Sequence, residues 1–245
     1  MKSTLTLILI LSCNLLIADP LEAVLILGTN LEKSQQYSHL AELERISSFF
    51  STKNVIVHKF YVGDAKWEEV IKVSPRCSFF IYFGHGGMKN FLNMNGFVDS
   101  NKIVRDLKLK SNAIVLLGHC CFSAGSSSSD DSQIDLSTSK NRVMSRSSVF
   151  FKTGASVYYS NNFVEGILIF LINLYQGESI EGYHRNFING GLFRSPEISM
   201  REEISEDYKE DKHLFLYSDR FKGEKYRTYD LCIIGDLEFN INCLK

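Results

Sequence analysis

Phe79-Phe80-Ile81-Tyr82-Phe83-Gly84-His85-Gly86-Gly87 and, further along, Ala113-Ile114-Val115-Leu116-Leu117-Gly118-His119-Cys120-Cys121-Phe122-Ser123-Ala124-Gly125 decide how this chain is read. Each is an apolar run followed at once by small and reactive residues. An apolar run without polar alternation suits a strand covered on both faces, as in a parallel sheet. A reactive side chain just past such a strand stands at its carboxyl end, the edge on which open α/β sheets build their sites. If the two strands are neighbours, His85 and Cys121 lie side by side, and an imidazole beside a thiol is the simplest activated nucleophile a protein makes.

The flanking sequence supplies the alternation that such a sheet needs. Leu21–Leu27 reads as a strand, Gln36–Phe50 as a helix with Leu40, Leu43, Ile46 and Phe49 three to four apart, and Asn54–Val62 as a strand. A short helix over Ala65–Val73, capped by Asp64, then leads through Ser74-Pro75 to a strand at Ser78–Phe83. Trp67 is expected to pack against the sheet. Asn95-Gly96 marks a turn, Asp99 or Ser100 caps a helix through Leu107, and Ser111–Leu117 is the next strand. Strand alternating with helix predicts an α/β fold with helices on both faces of a mostly parallel central sheet. One crossover between Ser78–Phe83 and Ser111–Leu117 makes these two strands neighbours.

Past Gly125, Ser126–Lys140 is rich in Ser and Asp and reads as a mobile surface loop. Thr153–Ser160 reads as a strand, Phe163–Tyr175 and Gly177–Phe187 as helices, Arg201–Lys212 as a charged solvated helix or loop, His213–Ser218 as a strand and Arg220–Arg227 as a basic exposed turn. The apolar run Ile167–Leu174 is far short of the ~20 residues a membrane span needs, so no spanning segment is expected.

An apolar strand ending in His-Gly, followed by a second ending in Cys-x-Ser-Gly, resembles the caspase-like cysteine peptidases: caspases, metacaspases, legumains, gingipains and their relatives. Phe83-Gly84-His85-Gly86-Gly87 is similar to the histidine motif of metacaspases, and His119-Cys120-Cys121-Phe122-Ser123-Ala124-Gly125 to their Asp-Cys-Cys-His-Ser-Gly form. The resemblance implies a three-layer caspase-like fold over residues 19–245 and a cysteine endopeptidase. In that register Cys121 is the nucleophile, Cys120 its neighbour and His85 the partner imidazole. The chain departs from the pattern at His119, where an acid is usual, and at Ala124, where glycine is usual. Leu237 also replaces the proline of a closing Gly-Asp-Pro motif in Gly235-Asp236-Leu237. Relatives also carry a processing loop after the cysteine. That makes Lys140, Arg142 and the Asp130-Asp131 pair candidate cut points. Basic-specific relatives place an acid near the cysteine, for which Asp99, Asp130 and Glu165 are candidates here.

Gly86 and Gly87 suit an oxyanion site, because glycine lets backbone N–H groups approach a ligand, with the Cys121 amide as the further donor. His119 and Cys120 are possible accessories. Together with His85 and Cys121 they are all residue types that zinc takes, but their spacing matches no structural zinc pattern, so neither metal nor cofactor is expected. Two other readings stand beside the peptidase: a catalytically inactive caspase-fold binding or scaffold protein, and, more remotely, a thiol redox protein, although redox pairs are normally spaced Cys-x-x-Cys.

The chain has 245 residues and a formal net charge of −1 with both signs interspersed. That gives no nucleic-acid footprint, and the expected partner is a polypeptide substrate. Residues 1–18, with Lys2 and the apolar Leu5–Leu11, read as a secretory signal peptide, which makes the protein exported: secreted, periplasmic or at the cell surface. Ile10-Leu11-Ser12-Cys13 is also similar to a lipoprotein box, in which case Cys13 carries a lipid anchor. The remaining cysteines are 77, 120, 121, 232 and 243. An odd set leaves at least one reactive thiol in an exported protein, and Cys77, Cys232 and Cys243 are the candidates for pairing.

Overall fold

Helical crossovers deliver the first five strands of the main sheet one after another, so all five run parallel. The computed structural model describes residues 19–130, 134–162, 166–190, 198–209, 211–221 and 227–244. The expected leader with Cys13, Asp131, Glu165 and most of the 220–227 turn lie outside these residues. The main sheet has eight strands in the order β2-β1-β3-β6-β7-β10-β9-β8. β1 (Glu22–Leu27), β2 (Ile56–Tyr61), β3 (Cys77–Phe83), β6 (Ala113–Gly118) and β7 (Ala155–Asn161) are parallel. β8 (Ile198–Tyr208), β9 (Lys212–Phe221) and β10 (Arg227–Gly235) extend the sheet as antiparallel strands. A separate hairpin, β4 (Asn90–Met94) and β5 (Gly96–Asp99), turns at Asn95.

Side chains alternate across the pleat, so each central strand feeds two cores. On one face Leu25, Phe79, Ile81 and Leu116 pack against Leu43, Ile46 and Phe50 of α1 (Lys33–Thr52). Further residues of that face meet α5 (Gly166–Tyr175) and α6 (Ile180–Gly190). On the other face Val24, Phe80, Val115 and Leu117 pack against Trp67 and Val70 of α2 (Trp67–Val73), Ile103 of α3 (Ser100–Asp106), and Val143, Val149 and Phe150 of α4 (Leu136–Phe151). The result is an α/β molecule with a mostly parallel sheet between two helical layers. Trp67 is buried as expected, and its indole N–H donates to Asp106 at 3.3 Å.

Several readings are corrected. Asp64 closes a short 3-10 turn and does not cap α2, whose first residue is Trp67. Leu136–Lys140 is not loop but the first turn of α4, capped by the Asp135 carboxylate, which accepts from the Thr138 N–H at 2.7 Å. Residues 201–208 belong to edge strand β8, where Ile204 and Tyr208 pack against the core and the half-buried Glu202, Glu203 and Glu206 pair with His184, Ser218 and Lys140. An edge strand pairs on one side only, so it tolerates that charge, and the charge blunts further pairing. No disulfide forms among the described cysteines: Cys77, Cys120 and Cys232 are buried thiols, Cys121 is half-buried and Cys243 exposed.

Candidate active site

The strand ends are aligned. Leu27, Phe83, Gly118 and Asn161 form a row of register partners across β1, β3, β6 and β7, and Leu231 of β10 pairs with Asn161. Whatever follows those residues projects past one edge. The chain places His85 two residues beyond Phe83, Cys121 three beyond Gly118, Asn162 one beyond Asn161, and Asp230 just before Leu231 in the opposed strand. These side chains, with Gln35 and His39 of α1 and His119, line one cleft of about 320 Å³.

Two turns build the site. In the first, the His85 carbonyl accepts from the Tyr82 hydroxyl at 2.7 Å and from the Asn93 N–H at 3.2 Å, which pins the residue while leaving its ring half-buried in the cleft. Gly84 must be glycine: its φ is +155°, and a Cβ there would lie 2.6 Å from the Tyr82 oxygen. In the second turn, His119 (φ 52°) and Phe122 (φ 67°) take the left-handed region, which costs non-glycine residues roughly 1–2 kcal/mol each. The turn is held by the Ser123 N–H donating to the Cys120 carbonyl at 3.0 Å and by the Tyr158 hydroxyl donating to the Ser123 carbonyl at 3.0 Å. Ala124 is buried at a φ open to any residue, so a methyl fits there without strain; Gly125, at φ +119°, is the position that requires glycine.

The adjacent cysteines part company. Cys120 is fully buried beneath the hairpin, near the Phe91 carbonyl at 3.5 Å, and burial pushes its thiol up to about 11. Cys121 faces the cleft with its sulfur 3.6 Å from the Ser128 hydroxyl. Burial alone would raise the Cys121 thiol. Hydrogen bonds from Ser128 and Ser127 outweigh it, and with the nearby Arg146 guanidinium they bring the thiol below its usual range. No hydrogen bond joins Cys121 to His85 among the described residues. The two turns touch elsewhere: a Cβ on Gly86 would sit 2.5 Å from the Cys120 sulfur and 3.0 Å from the Cys121 carbonyl oxygen. The backbone N–H groups of Gly86, Gly87 and Cys121 donate to no group among the described residues, and of these three residues Cys121 alone lines the cleft.

Several residues of this region have no counterpart in the sequence motifs. His39 is buried and its ring lies 4.5 Å from that of His119. Burial, with the His119 and His85 imidazoles, lowers His39 to about 4, and burial lowers His119 as well, so both rings are neutral near pH 7. Nδ1 of His39 and Nε2 of His119 are buried without a hydrogen-bond partner among the described residues. The signal for His39 was present, because it falls on the inward stripe of α1 with Leu43, Ile46 and Phe50. Arg146 of α4 is also buried against both turns. The Ser127–Asp130 segment is a tethered turn rather than a free loop: Arg142 grips the Asp130 carboxylate at 2.8 and 2.9 Å, and the Ser127 N–H donates to it at 2.8 Å.

Of the expected cut points, Asp130, Lys140 and Arg142 fall in ordered structure, and Asp131 lies outside the described residues. Lys140 and Arg142 lie within α4, where Lys140 pairs with Glu206 and Arg142 with Asp130. Asp99 caps α3 and Asp130 is committed to Arg142, so neither of these candidate acids lines the cleft. The carboxylate on its wall is Asp230, which accepts from the Asn162 amide at 2.6 Å and from the Thr228 hydroxyl.

His85, His119, Cys120 and Cys121 do not form a converging donor set. Among the described residues the donors that do converge, within 4.8 Å of one another, are Glu22, His58 and Cys77 at the opposite edge of the sheet. Arg76 already holds both oxygens of Glu22, at 3.0 and 3.2 Å.

No protein-family model matches the sequence, and no curated protein matches it. Among solved structures the chain is similar to protein GSU0716 from Geobacter sulfurreducens, at 13% identity over 70% of this chain and 89% of that one. With a TM-score of 0.39, that likeness carries no argument.

Proposed function

We propose that this chain is an exported cysteine endopeptidase of caspase-like fold that cleaves peptide bonds with Cys121 and His85. The observation that carries the reading is the register of β3 and β6, parallel neighbours ending together at Phe83 and Gly118, so that an imidazole and a thiol of lowered pKa open on one cleft. The reaction balances with these groups alone. His85 takes the thiol proton, and the Cys121 sulfur attacks the scissile carbonyl carbon. The carbonyl electron pair moves to oxygen, where the N–H groups of Gly86, Gly87 and Cys121 receive it. His85 returns the proton to the leaving amine as the C–N bond breaks, leaving a thioester. Water, deprotonated by His85, then releases the acid product and regenerates the thiol.

The Asp230 carboxylate, beside two neutral imidazoles, leaves the cleft wall negative and supports a preference for a Lys or Arg side chain before the scissile bond. Export, with or without a lipid at Cys13, remains the reading of the amino-terminal sequence.

The test is hydrolysis of a fluorogenic peptide panel varied at the residue before the scissile bond, with Cys121→Ala and His85→Ala as controls. Turnover of basic substrates, reduced at least about 10³-fold in both variants, is the expected result. A wild type that hydrolyses nothing, and in which no electrophilic peptide labels Cys121, leaves the scaffold reading in its place.

A further inference from the structure

Arg146 is 2% exposed, and its partners among the described residues are carbonyls, a sulfur and aromatic rings rather than a carboxylate. A buried guanidinium without a counter-charge is costly unless its N–H groups are well used. Two of the five are spent on backbone carbonyls here. Nη2 donates to the Gly87 carbonyl at 2.6 Å, and Nη1 donates to the Phe91 carbonyl at 3.2 Å. Nη1 also stands 4.0 Å from the Cys120 sulfur. The guanidinium carbon lies 4.5 Å from the Phe91 ring centre and 6.0 Å from that of Phe122. Arg146 thus touches the segment after His85 through Gly87 and Phe91, and the turn carrying Cys121 through both of that residue's chain neighbours. The two segments also touch directly, at Gly86 and through the Cys120 sulfur on the Phe91 carbonyl at 3.5 Å, and Arg146 of α4 adds a charged bridge between them.

We infer that Arg146 is a positioning residue of the proposed peptidase, clamping the Gly86–Gly87 turn against the Cys121 turn so that their free N–H groups converge on one oxyanion position. The inference rests on the peptidase reading. Its physical basis is the Gly87 carbonyl. A glycine pair is free to rotate, and an unheld Gly86–Gly87 segment samples orientations in which its amides point elsewhere. A charge-assisted hydrogen bond to that carbonyl removes this freedom. Pre-set donors are what make an oxyanion site effective, since they need no reorganisation as charge develops. The positive charge also stands close enough to favour a thiolate at Cys121, but the clamp itself is geometric.

The two effects separate experimentally. Arg146→Met keeps the length and apolar body of the side chain and loses the donors; Arg146→Lys keeps the charge and one donor. Two reagents read the site differently. Iodoacetamide alkylates Cys121 without forming an oxyanion. A peptide aldehyde, built on the sequence the wild type cleaves best, adds the sulfur to its carbonyl and places an oxyanion-like oxygen in the site. With Arg146→Met, kcat/KM and aldehyde affinity are each expected to fall about 10²-fold, mostly through kcat. Iodoacetamide alkylation above the thiol pKa is expected to stay within about threefold. Arg146→Lys is expected to recover roughly a tenth to a half of the lost activity.

If aldehyde affinity and alkylation fall together, or kcat/KM is unchanged in Arg146→Met, the inference is overturned. Should Arg146→Met not fold, Arg146→Lys decides alone: aldehyde affinity reduced with alkylation intact supports the clamp, and equal loss of both overturns it. A wild type that neither cleaves peptides nor binds the aldehyde removes the peptidase reading itself. An active wild type with an indifferent Arg146→Met removes only the clamp.

Discussion

The two edges of the sheet carry the same residue types and reach opposite chemistry. At the amino edge of β1 and β3, Glu22 and Cys77 are register partners, and the His58 ring lies 2.7 Å from Glu22. At the carboxyl edge, Cys121 shares a cleft with His85 and Asp230. Cys77 is fully buried with its thiol turned on the Val73 carbonyl at 3.4 Å, and burial, with the Glu22 charge, pushes it up to about 12. Cys121 is half-buried among hydroxyl donors and is shifted the other way. A cysteine, a histidine and an acid therefore do not define a site by composition. What separates the two is access and the polarity of the groups around the sulfur: a carbonyl and a carboxylate at Cys77, hydroxyls and a guanidinium at Cys121.

The largest expected contrast is in activity. Cys121→Ala should abolish turnover, at least about 10³-fold, whereas Cys77→Ala should stay within about twofold in kcat/KM and cost only ~1 kcal/mol in a urea melt. If Cys77→Ala disables the enzyme and Cys121→Ala does not, the assignment of the edges is reversed.

The next contrast is in how stability depends on pH. His39 and His119 are held neutral in the folded state, with pKa values below that of a free imidazole. The unfolded chain therefore takes up their protons first, and stability falls as pH drops from about 6.5 toward 4. For His39 the loss is about 2 kcal/mol between pH 7 and pH 5. Glu22 acts in a lower window. Burial opposes ionisation, but hydrogen bonds from His58 and Arg76 outweigh it and lower its pKa, so its contribution is present above the usual carboxylate value and is lost as pH falls through the folded one. Urea melts of His39→Leu should show a flatter pH 7-to-5 slope than wild type, and Glu22→Gln should leave that slope alone. An unchanged slope in His39→Leu would place the proton uptake elsewhere.

The smallest contrast concerns the sulfur's surroundings. Replacing Ser127 and Ser128 together by alanine removes hydrogen bonds that favour the thiolate. The midpoint of the pH–alkylation profile of Cys121 should then rise, as mass spectrometry of the modified peptide would show. A profile that does not move would mean the hydroxyls do not solvate the sulfur.

The sheet edge was legible because its signal is local. Phe79–Phe83 and Ile114–Leu117 are continuous apolar runs, and the residues after them could belong only at a strand end. α4 was not legible, because its serines and its neighbouring Ser-Asp segment carry the composition of a loop. Its inward stripe of Val143, Arg146 and Phe150 includes a charged residue, which a search for apolar periodicity passes over. For the same reason Arg146 stayed invisible: a buried arginine is meaningful only once the carbonyls it serves are in place. β8 was hidden by the charges that an edge strand can carry. Asp230 needed β10 to be recognised as antiparallel, which no nearby residue announces.

The central claim is that the chemistry sits at one sulfur, Cys121, made accessible and reactive by the carboxyl edge. The most direct measurement is labelling of the intact protein with a peptidyl acyloxymethyl ketone, followed by mapping of the modified residue in wild type and in His85→Ala. The account predicts stoichiometric modification at Cys121, slowed at least about tenfold in His85→Ala, with Cys77, Cys120 and Cys232 untouched. Label on exposed Cys243 alone, or a Cys121 that stays unmodified while the protein remains folded, would contradict it.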